Sequence, residues 1–422
     1  MALVETQNLN AIEHWSMPPD QYSNRASSLT PASQRYLESI GVWSRLDQSR
    51  LAPYHHMAVW DGLSPRGRIA FEASPRLQPI ACMTENQNLT RALVQRLKSL
   101  PSLQIFDKTS VASINLGRPP DDSPETLNLS SYPHVTLSNH RVIATRLLVG
   151  ADGINGPVRR FAGIATKGWD YDRHGVVATL KLDPAEDPVD FAIAYQRFLP
   201  TGPIALLPLP DGYATLVWTT TPNRAAHLKS LSQEDFIASV NAAFRLSTVD
   251  LDYMATQLDG QVSEFQWRDS VYPSTELEQQ GQIPRRVISV QEGSIASFPL
   301  RLRQANTYVA DRIALIGDAA HTIHPLAGQG LNMGLSDSQA LNETIQEAVA
   351  NGADIGNELQ CLDRYNSDTW MKNNRMLGIV DKLHWLYSSS NPLVVGARGW
   401  GLGAVNQLEP LKKLLMSQAG TV

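Results

Sequence analysis

The segment IGDAAHTIHPLAGQGLNMGLSDSQAL, residues 316–341, limits what this chain can fold into more than any other stretch. The apolar run just before it, YVADRIALI at 308–316, reads as a buried strand, and Gly317-Asp318 lets the backbone turn sharply at its end. A carboxylate at that point, Asp318, sits at the carboxyl edge of a sheet, where open α/β sheets gather ligands, and can accept bonds from hydroxyl groups. Gly328, Gly330 and Gly334 permit close backbone approach around the start of a helix predicted at about 329–350. The first turn of such a helix offers unpaired N–H groups and a positive dipole end to negative charge. Leu331, Leu335, Leu341, Ile345 and Val349 form one apolar face, so the helix is expected to be anchored in a core. A strand, a glycine turn and a packed helix can also be structure alone. The length of the patterned string argues for a ligand.

The rest of the chain alternates between two patterns. In YSNRASSLTPASQRYLESIGVW, Ser28 or Thr30 caps a predicted helix, with Pro31 in its first turn and Gly41 closing it. TENQNLTRALVQRLKSL, 84–100, places Leu89, Leu93, Val94 and Leu97 on one helical face. Residues 117–134, rich in Pro, Asp and Ser, read as an exposed loop, followed by a hairpin leading into a buried strand at 147–149. From about 170 to 300 the chain turns to short runs, VVATLKL, AIAYQRFL, IALLPL, ATLVWTT and VISV, which predict a mostly antiparallel sheet. The expected class is α/β with an inserted antiparallel unit. Residues 1–170 and 301–380 form the two parts of one domain, 171–300 the β-rich insertion, and 381–422 a helical tail.

Bulk properties exclude several classes of function. With 36 basic and 41 acidic residues the net charge is -5, which does not suit a general nucleic-acid binder. Two cysteines, Cys82 and Cys361, are too few for a disulfide framework or a metal cluster and read as ordinary thiols of a reducing compartment. No metal site is expected. No apolar run reaches the length of a membrane span, and residues 1–24, without Lys or Arg, do not look like an organellar transit peptide.

The string beginning at Gly317 resembles the second FAD signature of the flavin monooxygenases related to para-hydroxybenzoate hydroxylase, GDAAHxxxPxxGQGxNxGxxDxxxL, at essentially every fixed position. The resemblance implies a para-hydroxybenzoate-hydroxylase-like, Rossmann-like FAD-binding domain with the antiparallel unit as substrate domain. It implies that Asp318 binds the ribityl chain, that Gly328, Gly330, Leu331 and Asn332 face the flavin pyrimidine edge, and that Pro325 lies near the reactive edge. LLVGADGINGPVRR resembles the family's DG motif, which touches FAD and the reductant site. Asp152, Gly153 and Arg159 match it, and Gly156 stands where the family usually has Ser. YSNRASSLTP, AYQRFLPTGPIALLPL and NPLVVGARGWGLGAVNQLEPLKK narrow the resemblance to the ubiquinone-biosynthesis hydroxylases, relatives of bacterial UbiH, UbiF and UbiI, with the eukaryotic mitochondrial coenzyme Q hydroxylases nearest. It also implies cofactor contacts from Arg25 and Asn86. The activity implied is FAD-dependent ring hydroxylation of a polyprenylated hydroxybenzoate or related phenol with O2. Electrons would come from a ferredoxin and its reductase. A coenzyme Q biosynthesis complex and peripheral contact at the matrix face of the mitochondrial inner membrane are implied as well.

Glu5 resembles the acidic residue that binds the adenosine ribose at the end of the second strand of such a domain, and four residues precede it. The expectation is therefore a chain without the G-x-G-x-x-G unit that neutralises the pyrophosphate, and with weak FAD affinity. Gly399, Gly401 and Gly403 have no acidic strand after them and are expected to pack at the C-terminus. A rival expectation is a non-catalytic form that binds only a membrane or a complex. Trp400, Leu402, Leu408, Leu411, Leu414 and Leu415 around Lys412 and Lys413 suit a membrane surface or core packing equally. His321 and His324 are expected to be structural, since no further ligand type completes a metal set nearby. Arg197 is either a partner for an aromatic carboxylate or a structural arginine. Trp169, Trp218 and Trp385 are expected to pack in apolar space.

Overall fold

One long strand organises the middle of the chain. The computed structural model describes residues 1–64, 67–73, 78–117, 128–184, 192–271, 274–323 and 328–407. Thr166–Leu182 pairs antiparallel with Tyr213–Thr220 on one side and with Val287–Val290 and Ala296–Ala305 on the other. Gly202–Pro208 and Ile193–Leu199 continue the sheet beyond Tyr213–Thr220. All five strand-like runs of the sequence lie in this mostly antiparallel sheet. It also draws on residues far from the 171–300 stretch. His56–Asp61 pairs parallel with Ile193–Leu199, and Arg68–Glu72 completes that edge. The last four residues of His56–Asp61 are all buried, so the strand shows no alternation that would reveal it in sequence.

Period-two alternation gives the sheet two distinct faces. Val176, Ala178, Leu180, Ile204, Leu206, Leu216 and Trp218 point to one side, where Pro222–Ser230 and Gln233–Arg245 cover them with Leu228, Phe236, Val240 and Phe244. These helices, with Thr248–Met254 and Gln261–Val271, lie inside the stretch read as β-rich. Two of these helix starts carry S-x-x-D capping signals: the Ser232 and Ser247 hydroxyls accept from the N–H groups of Asp235 and Asp250. Arg197 shares this face, in register with Ile204 and Trp218. Its guanidinium donates to the Ala243 and Leu246 carbonyls at the end of Gln233–Arg245, 2.8 Å each. Burial, with Arg68 adding to it, pulls its pKa down to about 10. Arg197 is thus the structural arginine of the two readings.

The other face carries Val59, Phe198, Leu300 and Leu302 toward Ile323, Met333, Leu377, Val380 and Tyr387. Phe198 stacks on Tyr387 at 3.8 Å and 15°. Buried Arg398 makes a two-pronged bond to Asp61, with Nε to Oδ2 at 2.7 Å and Nη2 to Oδ1 at 3.1 Å, and so fixes helix Pro392–Gln407 to the sheet. Gly399 packs against Ser64 in that helix, where a Cβ would stand 2.2 Å from the Ser64 hydroxyl. Gly399 is C-terminal packing, as expected, whereas a Cβ on Gly401 would meet nothing within 4 Å.

The α/β part contains two parallel strand pairs, Ala2–Val4 with Gln104–Phe106 and Leu148–Gly150 with Ile313–Leu315. An antiparallel meander of Val111–Leu116, Pro133–Leu137 and Val142–Ala144 spans both, packing Val135 and Leu137 on Val4, Phe106 and Leu148. Thr30 caps helix Pro31–Ser39 with Pro31 in the first turn and Gly41 at φ +72°, as predicted, whereas Ser28 belongs to strand Ala26–Leu29. Helix Gln329–Ala350 matches its predicted span.

Four expectations change. Of the tryptophans expected in apolar space only Trp218 is buried, while Trp169 and Trp385 are 48% and 73% exposed. The run 308–316 is a hairpin of Val309–Ala310 and Ile313–Leu315, because Arg312 adopts φ +61°. Val149 is exposed, since Leu148–Gly150 pairs on one side only among the described residues. On Gln329–Ala350 the buried positions are Asn332, Met333, Asp337, Leu341, Thr344 and Ala348, while Val349 is 65% exposed. The predicted exposed loop lies largely outside the described residues.

Replacing Arg197 by Leu leaves two buried helix-end carbonyls without donors. We expect a loss of about 2–4 kcal/mol in urea unfolding, with any binding of aromatic acids unchanged.

Candidate functional site

The turn after Ile313–Leu315 is held from behind. Gly317, at φ +57°, faces Gly334, where a Cβ would come within 3.4 Å of the Gly317 Cα. One helical turn further, the fully buried carboxylate of Asp337 accepts from the Gly317 N–H at 2.9 Å and meets His321 Nε2 at 2.6 Å. Its second oxygen accepts from the Asn373 amide at 2.9 Å, and the Tyr365 hydroxyl donates to the Leu315 carbonyl at 2.7 Å. His321 is therefore committed to a carboxylate that sequence spacing had not paired with it. Among the described residues no group of three or more His, Cys, Asp or Glu is placed to hold a metal. His324, Pro325, Leu408, Lys412 and the residues after them lie outside the described residues.

Pinning the turn leaves Asp318 facing outward. Its surface is open to solvent, yet the protein crowded around it raises its pKa above the usual carboxylate range, and nearby His321 opposes that shift. Gly328, at φ +61°, begins Gln329–Ala350 without a side-chain cap. The N–H groups of Gly328, Gln329, Gly330 and Leu331 consequently have no partner inside the helix, and the Asn332 N–H is the first that reaches back, to the Gly328 carbonyl. What Leu331 can offer a ligand is its backbone N–H, whereas Asn332 commits both its N–H and its side chain to the protein. The Leu331 side chain packs on the cluster of Leu29, Leu37 and Leu89. The Asn332 amide accepts from the Thr30 N–H at 3.1 Å and the Ser33 hydroxyl at 2.8 Å, and donates to the Ser28 carbonyl at 2.8 Å.

Those bonds bring the 25–33 segment against the helix start. Strand Ala26–Leu29 pairs with Ala81–Glu85, so that the Asn86 N–H donates to the Arg25 carbonyl at 2.9 Å and the Ser27 hydroxyl to Asn86 Oδ1 at 2.6 Å. The Arg25 side chain is exposed and has no partner among the described residues. Arg25, Asn86, Asp318 and the helix start thus belong to one connected frame. Sequence reading missed its buried ion pair, Arg50 with Glu85, because TEN looks like an ordinary helix start.

Two acidic residues sit differently. Asp152, just past Leu148–Gly150, accepts from the Val158 N–H at 2.9 Å and so caps helix Pro157–Phe161. A Cβ on Gly156 would lie 1.9 Å from the Asp152 carboxylate. The glycine makes room for that carboxylate, which performs the capping a Ser at 156 would otherwise provide. Arg159 donates to the Ile154 carbonyl in the same turn. Glu5 follows Ala2–Val4, and its carboxylate accepts from the Gln7 N–H at 2.8 Å and the Thr6 hydroxyl at 3.2 Å. Like Asp318, both stand at carboxyl ends of parallel strands, but among the described residues no bond joins Glu5 to the Asp318 turn.

An outward carboxylate at a strand end, a glycine in the left-handed region and four unpaired amides suit a polyhydroxylated, partly anionic cofactor. A family model described as "FAD binding domain" matches residues 12–270 and 274–374, and the chain belongs to that family. Solved structures of the same fold include the probable FAD-dependent monooxygenase pqsL from Pseudomonas aeruginosa, with TM-score 0.63 and 19% identity, covering 94% of this chain and 92% of that one. Another is p-nitrophenol 4-monooxygenase PnpA from Pseudomonas putida, with TM-score 0.64 and 15% identity, covering 99% and 97%.

Within that fold the chain belongs to the ubiquinone biosynthesis monooxygenases. It is 38% identical to the mitochondrial ubiquinone biosynthesis monooxygenase COQ6 of Schizosaccharomyces pombe, over 99% of this chain and 85% of that protein. Identity is 39% to that of Saccharomyces cerevisiae, over 97% and 85%, and 37% to that of Homo sapiens, over 95% and 82%.

Asp337→Asn turns one accepting edge into a donor facing a donor. It should cost about 2–4 kcal/mol in thermal unfolding. Gly156→Ala should cost about 1–3 kcal/mol by crowding Asp152, and Gly156→Ser less, because its hydroxyl can take over the cap; denaturant titration of the two variants measures the difference.

Proposed function

We propose that this chain is an FAD-dependent monooxygenase that hydroxylates the ring of a polyprenylated hydroxybenzoate or related phenol in ubiquinone biosynthesis. The observation that carries the reading is the outward-facing Asp318 beside four unpaired helix-start amides, in a chain of this family. Bound there, FAD would supply the redox chemistry with O2 that ring hydroxylation needs. The protein supplies position. Asp318 would accept bonds from the ribityl hydroxyls, and the free helix-start amides of Gly328, Gly330 and Leu331, held in place by Asn332, would stabilise negative charge at the pyrimidine edge. Arg25 and Asn86 line the neighbouring wall, Asp152 and Glu5 complete the cofactor side, and the family pattern alone assigns Pro325, outside the described residues, to the reactive edge.

The ring lies against the sheet face turned toward the flavin. There Val59, Gln196, Ala205, Val217 and Val177 form one row in register across five strands. Four small apolar side chains and one amide suit an aromatic ring with a single hydroxyl. The same reading divides the chain into a cofactor domain of 1–170 and 301–380, which lends His56–Asp61 and Arg68–Glu72 to the sheet, a substrate unit of 171–300, and a helical tail of 381–422 packed on that sheet.

Electrons come from a ferredoxin and its reductase, and the chain works in a coenzyme Q biosynthesis complex at the matrix face of the mitochondrial inner membrane. The relatives named above are mitochondrial by name. Among the described residues no helix is long and apolar enough to cross a membrane. Peripheral contact is supported by Trp385, Leu393 and Trp400 on the last two helices, 73%, 83% and 76% exposed.

Asp318→Asn should weaken FAD binding about tenfold by equilibrium dialysis, the value of a charge-assisted hydrogen bond. Because the Asp318 pKa is raised, the ionised, accepting form is lost on acidification sooner than for an ordinary carboxylate of about 4. FAD affinity of the parent chain should fall correspondingly early, and that of the variant should not. In cells lacking the hydroxylase, the parent chain should restore ubiquinone; failure to do so in soluble, flavin-loaded form contradicts the reading.

A further inference from the structure

The sheet has a cavity on the face away from the Asp318 turn. It measures about 50 Å³ and opens between the sheet and the helices that cover it. Leu199, Leu228, Leu251 and Met254 supply apolar wall, and Trp218 and Thr220 line it from the strand. Trp218, in register with Ile204 and Val176, belongs to the helix-covered side, so alternation separates this cavity from the face assigned to the phenol ring.

Trp218 and Thr220 are only 8% and 1% exposed, and the indole Nε1 and the Thr220 hydroxyl oxygen have no hydrogen-bond partner among the described residues. An indole N–H can only donate, and leaving it buried and unpaired costs stability. Two such groups lining one mostly apolar cavity ask for an acceptor oxygen carried by an apolar body. At the rim, Arg224 is bonded to Asp252 at 2.5 Å, which offsets its charge and leaves no strong preference for a fully ionised ligand.

We propose that this cavity binds the carbonyl end of an aliphatic chain, an acyl group whose oxygen accepts from the Trp218 indole N–H and the Thr220 hydroxyl. Its volume takes a head of a few heavy atoms, with the chain running out along Leu228 and Leu251 to the rim. The site is independent of the flavin and of the ring-binding face, so its occupancy is separable from turnover.

The test uses the full chain with 15N-labelled tryptophan, titrated with decan-2-one, decanoate and decane. The indole resonance that Trp218→Phe removes should move with decan-2-one. Decane should bind about tenfold more weakly than the ketone, and Thr220→Val, which keeps shape and fold, should narrow that gap. Decanoate binding tighter than the ketone, with the excess removed by Arg224→Gln, would identify a free fatty acid as the source; equal or weaker binding would identify a neutral acyl group. Equal affinity for decane and decan-2-one, or no movement of the Trp218 indole at ligand saturation, would overturn the proposal and leave the cavity to solvent.

Discussion

The buried carboxylate of Asp337 is the constraint on which the site depends. It takes a backbone N–H from the glycine turn, an imidazole from the segment just after it and an amide from the neighbouring helix Asp363–Ser388. A charge removed from water is stable only when its oxygens are fully used, and full use fixes its partners. The turn therefore cannot relax toward the helix, Asp318 must face outward, and the helix start is presented at a set angle. Asn332 does the same for the other flank, its amide tying residues 28–33 to the helix start at Gly328.

The large sheet works with this frame because its two faces are chemically separate. Helices and Arg197 seal one face; the other meets Ile323 and Met333 from the turn and helix. The C-terminal helices close the second face through Phe198 on Tyr387 and through the Arg398–Asp61 pair. Both contacts join residues more than a hundred positions apart, so the tail belongs to the same packed unit as the sheet.

Much of this was legible in the sequence, and the failures have physical causes. The span of Gln329–Ala350, the Thr30 cap and the five strand-like runs follow from helical periodicity, capping chemistry and β-branched or aromatic stretches between turn residues, which are local. Long-range partners are not local. Nothing in the sequence shows that His56–Asp61 would leave its neighbours to pair with Ile193–Leu199, or that His321 would meet Asp337. On the long helix, simple apolar spacing selected Val349, whereas the buried face is set by polar groups with partners, Asn332 and Asp337. Gly156 was visible as a departure from the family pattern, and its reason, the Asp152 carboxylate occupying the space of a Cβ, required three dimensions.

Amide hydrogen exchange, read peptide by peptide with and without FAD, tests the central claim most directly. If the turn and helix start form the cofactor cradle, FAD will slow exchange across residues 317–318 and 328–332 while leaving the Trp218 side of the sheet unchanged. Protection confined to other segments, with those amides exchanging at the same rate in both states, would contradict the assignment.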